Sequence, residues 1–154
     1  AALLVEESQP KAALAWLEKG KPLKMTSQER AELLNNKGMA LFGLGEDEQA
    51  MECLKEAVET DPLNGEIWAN LGAAYGKSRQ YGEALHVLEK GLENAPSSLK
   101  LIRNLAVTYL KMKDYEKVVE TLKKVPAQER QKNGSIQELL RTAEERLNKS
   151  ASAR

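Results

Sequence analysis

The chain has 154 residues, enough to bury one ordinary core without metals or disulfides. Hydrophobic residues make up 42% and charged residues 30% with aromatics at 5%, and the prevalence of Ala, Leu, Glu and Lys favours helix over sheet. Lys plus Arg and Asp plus Glu both number 23, which leaves no whole-chain field to draw in nucleic acid or an anionic membrane. The lone cysteine, Cys53, can form neither an internal disulfide nor a zinc site, which leans toward the cytoplasm but leaves the compartment unknown. No run approaches the roughly 18–20 apolar residues of a spanning helix, and Ala1 to Val5 lacks the basic flank of a signal peptide, so a soluble chain is expected. It opens without Met on an apolar run and is expected to be an excised or processed piece.

Aligned on itself at an offset of 34, the sequence brings 31–64, 65–98 and 99–132 into register. Ahead of them, 1–30 reads as a partial repeat, with Leu3 to Ser8 the tail of a first helix and Pro10, Ala13 and Leu17 on a second. Thr26 with Glu29 resembles a capping box that opens the next helix. The first full segment carries Leu34, Gly38 and Leu41, then Ala50, Leu54, Ala57 and Pro62. The second carries Trp68, Leu71, Gly72 and Tyr75, then Ala84, Leu88 and Pro96, and its Trp68 and Tyr75, seven apart, share one helical face. In the third, Ile102, Leu105, Ala106, Tyr109, Tyr115 and Leu122 fit, but Val118 and Val125 replace small residues and Pro126 comes early, so its second helix should end one turn short. Asp61-Pro62 and Ala95-Pro96 sit where one repeat must stop before the next begins. Gly38, Gly72 and Ala106 are small where paired helices approach closely. Finally, Ile136, Leu139, Leu140, Ala143 and Leu147 give the apolar stripe of a capping helix over 133–148, with Glu138, Arg141, Glu145 and Arg146 off the stripe, and 149–154 are expected to be a disordered tail.

The second segment resembles the tetratricopeptide-repeat signature W-x2-L-G-x2-Y, A-x3-F, P, departing only at Leu88. The resemblance implies an all-α fold, a right-handed α-solenoid of antiparallel helix pairs forming a single domain over 1–154. It also implies that the first helices of successive repeats line a concave wall. Positions 2, 5, 6, 9, 12 and 13 of each repeat would then face or border the groove.

Asn36, Asn70 and Asn104 lie 34 residues apart, so the implied fold stacks them along that wall. An asparagine amide offers donors and an acceptor and can bond a peptide backbone without reading its side chains. The spacing resembles the asparagine ladder of the O-linked N-acetylglucosamine transferase repeat arm and of kinesin light chains. The plainer alternative is that Asn is common at this position in repeat consensus sequences, where it helps the adjacent turn. The dicarboxylate clamp of co-chaperone repeats is matched at Asn70 and Lys100 only, with Asn35, Met39 and Asn104 in place of its first Lys, first Asn and Arg. Lys77, Lys100, Arg103 and Lys111 make the downstream end of the wall basic and Glu32 and Glu66 the upstream end acidic, which suits a polarised ligand, though solvated surface charges are the plainer reading. Ala69, Ala73 and Gly76 leave the middle of the wall with little volume, bordered by Met39 and Phe42, either to seat an apolar anchor or simply to pack helices.

Candidate chemistry is weak. Gly72 to Ser78 ends like a phosphate-binding loop but carries the repeat's core tyrosine and lacks the first glycine, and Gly43-Leu44-Gly45 is a helix-to-helix turn. His86 has no nucleophile and acidic partner at a telling spacing, Glu46, Asp47 and Glu48 are explained by a helix N-terminus, and Cys53 reads as a small hydrophobe. No catalytic, metal or cofactor site is expected. The expected function is a scaffold or adaptor binding a peptide or partner segment in the groove through Asn36, Asn70, Asn104, Lys77, Lys100, Arg103, Lys111, Met39 and Ala73, with no nucleic acid or membrane partner. Two alternatives stand: self-association through the apolar N-terminal helix, and a substrate-recruiting arm of a larger enzyme.

Overall fold

The computed structural model describes residues 25–152. The helix tail at Leu3 to Ser8, the second helix carrying Pro10, Ala13 and Leu17, and the self-association surface at Ala1 to Val5 lie outside those residues. The described residues form eight helices and no strand: α1 (Ser27–Gly43), α2 (Asp47–Thr60), α3 (Gly65–Lys77), α4 (Tyr81–Asn94), α5 (Leu99–Lys111), α6 (Tyr115–Lys123), α7 (Ala127–Lys132) and α8 (Gly134–Ser152).

Local chemistry sets the ends of these helices. Thr26 and Glu29 close a reciprocal capping box, the Thr26 hydroxyl accepting from the Glu29 N–H at 3.2 Å and the Glu29 carboxylate from the Thr26 N–H at 2.8 Å. These bonds hold the Glu29 carboxyl below the usual carboxylate range, the Thr26 backbone bond first. Asn64, Ser98, Asp114 and Asn133 cap α3, α5, α6 and α8 through side-chain oxygens. Pro62 and Pro96 follow the ends of α2 and α4 as expected.

Three antiparallel hairpins result, α1–α2, α3–α4 and α5–α6, and they stack in one order. α3 packs on both α2 and α1, and α5 on both α4 and α3, so α1, α3 and α5 stand side by side as one wall. α8 packs on α6 and α5 and so takes the place that a further first helix would occupy, which is the capping role read from its stripe. The architecture is an all-α solenoid.

Within a hairpin, the controlling contact is a leucine seated on a missing side chain. A Cβ built on Gly72 would lie 2.4 Å from Leu88 Cδ2, and one on Gly38 would lie 2.9 Å from Leu54 Cγ and 3.0 Å from the Ala50 carbonyl. Leu54 and Leu88 are fully buried and cannot retreat. A further close contact also reaches the next hairpin: a Cβ on Gly91 of α4 would lie 2.7 Å from Trp68 Cβ in the same hairpin and 3.0 Å from Leu101 Cδ2 on α5, while the Trp68 indole N–H donates to the Pro62 carbonyl at 2.7 Å, tying the inter-repeat turn to the following helix.

The C-terminal third departs from the expected boundaries in two places. α6 stops at Lys123, nine residues against fourteen in α2 and α4, as the early Pro126 requires, but the chain then forms the short α7 that the repeat register does not contain. Pro126, at φ −53°, is preset for helix entry. The second difference is that α8 continues to Ser152, so 149–152 are helical where a disordered tail was expected. The apolar stripe ends at Leu147, but Asn148 to Ser152 holds no Gly or Pro, and the hydroxyls of Ser150 and Ser152 bond back to the Arg146 and Asn148 carbonyls at 2.9 Å.

Gly72 and Gly76 lie one turn apart on α3 with opposite surroundings, since a Cβ on Gly76 meets nothing within 4 Å. Gly72→Ala should destabilise the fold by about 1–3 kcal/mol through overpacking against Leu88. Gly76→Ala should instead stabilise it by about 0.5–1 kcal/mol, the helix-propensity difference. Urea midpoints at unchanged m-value test the pair, and equal shifts in one direction would contradict the leucine-on-glycine account.

Candidate functional site

The wall of α1, α3 and α5 carries Asn36, Asn70 and Asn104 at equivalent turns, but their surroundings differ. Asn36 is exposed on α1. Asn70 is only 9% exposed, because its amide donates to the Asn35 side-chain oxygen at 2.9 Å and its own oxygen accepts from the Lys100 ammonium at 3.0 Å. Asn104 is half-buried and spends one amide N–H on the Ala69 carbonyl at 3.0 Å. Two of the three amides therefore bridge consecutive first helices, and the Asn104 oxygen, which accepts from the Arg103 guanidinium at 3.5 Å, keeps a second lone pair.

Lys100 also bonds Glu66 at 2.8 Å, so the acidic residue of the second repeat and a basic residue of the third neutralise each other. The pair is exposed enough to contribute at most about 1 kcal/mol. Its consequence is directional: the N-terminal ends of α3 and α5 lose part of the charge contrast that the sequence suggested, leaving Arg103 as the remaining cation there.

At the other end of the wall, α3 and α5 enclose a groove of about 570 Å³. Gly72, Ala73 and Gly76 from α3 and Val107 from α5 form its low apolar side, with Asn104 and Thr108 beside them. Lys77 and Lys111 from the last turns of α3 and α5 line its rim, together with Arg79 from the following turn and Tyr81 at the start of α4. The Lys77 ammonium lies 4.9 Å over the Phe42 ring, which holds its side chain against α1.

The structure thus brings Ala73, Lys77, Asn104 and Lys111 into one groove and joins Asn70 to Lys100. It leaves Met39, 44% exposed, and Asn36 on α1 outside that groove. Arg79 and Tyr81 were not anticipated, yet a signal for Arg79 exists. Gly45, Arg79 and Lys113 are spaced by 34 and all adopt left-handed backbone, at φ 82°, 59° and 62°. A side chain in that region costs roughly 1–2 kcal/mol relative to glycine, so two cations stand where the first repeat uses the permissive residue.

The remaining candidates sit apart from the groove. His86 is exposed on α4, Asp47 and Glu48 open α2, and Gly72 to Lys77 is helix rather than a phosphate loop. Burial pushes the Cys53 thiol above its usual range, which makes it a poorer nucleophile. Burial first, then the Glu89 carboxylate that accepts its hydroxyl at 3.3 Å, push the Tyr109 phenol up as well. Among the described residues no helix is long and apolar enough to cross a membrane.

Comparison with known proteins places the chain. Residues 77–143 match the family described as Tetratricopeptide repeat and residues 38–78 the one described as TPR repeat. No curated protein matches the sequence. Among solved structures, the first TPR of Spaghetti (RPAP3), bound to the HSP90 peptide SRMEEVD, aligns at TM-score 0.72 and 19% identity over 79% of this chain and 98% of that one. The Sgt2 TPR domain of Aspergillus fumigatus aligns at 0.70 and 23% over 79% and 82%. The TPR2B domain of yeast Sti1, in complex with pHsp70, aligns at 0.67 and 23% over 75% and 97%. At these identities the likeness establishes the fold alone.

The three asparagines should separate in stability measurements. Asn70→Ala should cost about 1–2 kcal/mol, since it strips Asn35 and Lys100 of a buried partner, whereas Asn36→Ala should stay within about 0.5 kcal/mol of the parent. An Asn35→Ala, Asn70→Ala double-mutant cycle should return a coupling of about 0.5–1.5 kcal/mol. Additive losses would remove the bridge from the account.

Proposed function

The chain belongs to the tetratricopeptide-repeat family, and we propose that it is a binding module that holds an extended segment of a partner polypeptide against the wall of α1, α3 and α5, with no reaction of its own. The observation that carries this reading is the groove between α3 and α5, whose apolar side is kept low by Gly72, Ala73 and Gly76. Only Gly72 among these is explained by helix packing. Ala73 is exposed and a Cβ at Gly76 would enter open space, so helix packing does not require the small volume at those two positions, which leaves room for a ligand.

In this reading Ala73 supports the ligand backbone, Lys77 and Lys111 flank it, and the second lone pair of the Asn104 oxygen accepts one of its N–H groups. Lys100 and Arg103 engage its acceptors at the far end of α5, with Asn70 fixing the Lys100 ammonium rather than touching the ligand first. Asn36 and Met39 extend the surface along α1. The zero net charge suits a polypeptide partner rather than nucleic acid or a membrane surface. Domains of the same fold have been solved with chaperone peptides, namely the Spaghetti domain with an HSP90 peptide and Sti1 TPR2B with pHsp70, which supports a peptide as the class of ligand.

Gly76→Trp fills the groove from a position with free space above it and so tests the reading without disturbing the core. Peptides selected from a random dodecapeptide display library on the full chain should bind Gly76→Trp at least about tenfold more weakly, equivalent to about 1.4 kcal/mol, at unchanged thermal stability. Selected peptides indifferent to that substitution would place binding elsewhere.

A further inference from the structure

The side of the solenoid formed by the second helices carries a concavity of its own. α4 and α6 each pack on α5, and between them lies a groove of about 420 Å³. Leu105 and Tyr109 of α5 form its floor with Leu92 of α4, Glu89 and Glu93 stand on the α4 bank, and Thr121 lies on the α6 bank. None of these residues serves the wall of first helices. Thr121 is only 6% exposed and lines the groove, yet its hydroxyl makes no hydrogen bond among the described residues. The helical hydroxyls of Thr60, Thr108 and Thr142 each return to the carbonyl four residues back. The equivalent positions of the first two hairpins hold Cys53 and Val87, so the repeat itself does not require a hydroxyl here. A buried hydroxyl without a partner is unfavourable, and a donor arriving from outside removes that penalty.

The charges on the two banks are a second, independent feature. Lys117 and Lys124 are met on their own side, by Asp114 at 3.6 Å and Glu120 at 3.9 Å, and the Lys117 ammonium lies 5.2 Å over the Tyr109 ring. Glu89 and Glu93 take part in no ion pair among the described residues. Glu89 accepts from the Tyr109 hydroxyl at 3.3 Å, which holds its carboxylate at the groove. Two exposed carboxylates four residues apart on one helix repel each other until a cation enters between them. The seam one repeat earlier is built differently: Lys55 stands at the position of Glu89, and its ammonium lies 5.7 Å over Tyr75. The uncompensated negative charge therefore belongs to this groove and not to the repeat pattern.

From this arrangement we infer that the groove between α4 and α6 is a second docking site, on the outer side of the solenoid, and that it takes an arginine side chain of a partner polypeptide. The aliphatic stem of that arginine lies on Leu92 and Leu105, and its guanidinium donates to the carboxylates of Glu89 and Glu93. A guanidinium carries five donors in a planar fork, which leaves one for the Thr121 hydroxyl oxygen. The site shares no lining residue with the groove between α3 and α5, so it stands or falls apart from the function proposed above.

Gly76→Trp fills the groove of the wall and leaves this one open, so the test selects a random dodecapeptide display library on the full chain carrying that substitution. The selected peptides should contain arginine and should bind the parent and Gly76→Trp chains alike. Replacing that arginine by citrulline, which keeps the shape and removes the charge, should weaken binding at least about tenfold in fluorescence anisotropy. Glu89→Gln with Glu93→Gln, both at exposed positions, should weaken the arginine peptide to a similar degree, and the effect should shrink at high ionic strength. Thr121→Val should weaken it roughly two- to fivefold while leaving the melting temperature equal or higher, because no internal hydrogen bond is lost. A hydroxyl that served the fold would instead lower the melting temperature and leave the affinity alone. Glu48→Gln on α2 should change nothing. Enrichment of no peptide, enrichment of peptides without arginine, or an arginine peptide whose affinity is the same on the Glu89→Gln, Glu93→Gln chain overturns the inference.

Discussion

The fold depends on one steric constraint, the absence of a side chain where two helices of a hairpin cross. Leu54 and Leu88 occupy the space that a Cβ at Gly38 and Gly72 would need, so helix axes approach closely and each hairpin closes on a fixed geometry. Because that contact recurs at the repeat period, successive hairpins present equivalent faces and stacking follows: Gly91 lies against Trp68 of its own hairpin and Leu101 of the next, and Trp68 ties down the turn at Pro62. The third hairpin keeps the fully buried leucine, Leu122, but carries Ala106 at the position of Gly38 and Gly72 and Val118 at that of Ala50 and Ala84, and its second helix is the short one. α8 then covers the last open face.

The first-helix wall divides its polar residues between holding itself together and facing outward. Asn70 and Asn104 use their amides to join α1 to α3 and α3 to α5, and Lys100 with Glu66 adds an ionic contact across the same seam. This is the bland role that asparagine can play in a repeat, and it occupies two of three amides that spacing alone would assign to a ligand. What stays unoccupied lies toward the opposite end of the helices, where small residues open a groove and cations surround it.

Much of the architecture was legible in the sequence because a 34-residue period with Trp68, Gly72, Tyr75 and Pro96 in fixed places constrains helix, turn and close-contact positions at once. The early Pro126 likewise announced the short α6. The register did not announce α7, since its six residues bury nothing and leave no apolar stripe, nor the extension of α8 past Leu147, where helix persists without a buried face. Arg79 was readable in principle from the spacing of Gly45, Arg79 and Lys113, but only once that turn is known to be left-handed does a cation in place of glycine stand out.

The sequence by itself determined the repeat, the helix pairs, the stacking order and the family, because those follow from periodic volume and capping chemistry along the chain. Tertiary structure alone decided which residues of the wall are available. Whether an asparagine meets a ligand or the neighbouring helix, and whether a lysine faces a glutamate or an open groove, depends on distances between residues about one repeat apart. Periodicity places such residues on one wall, but a difference of a few ångströms between hydrogen bond and open space is set by packing.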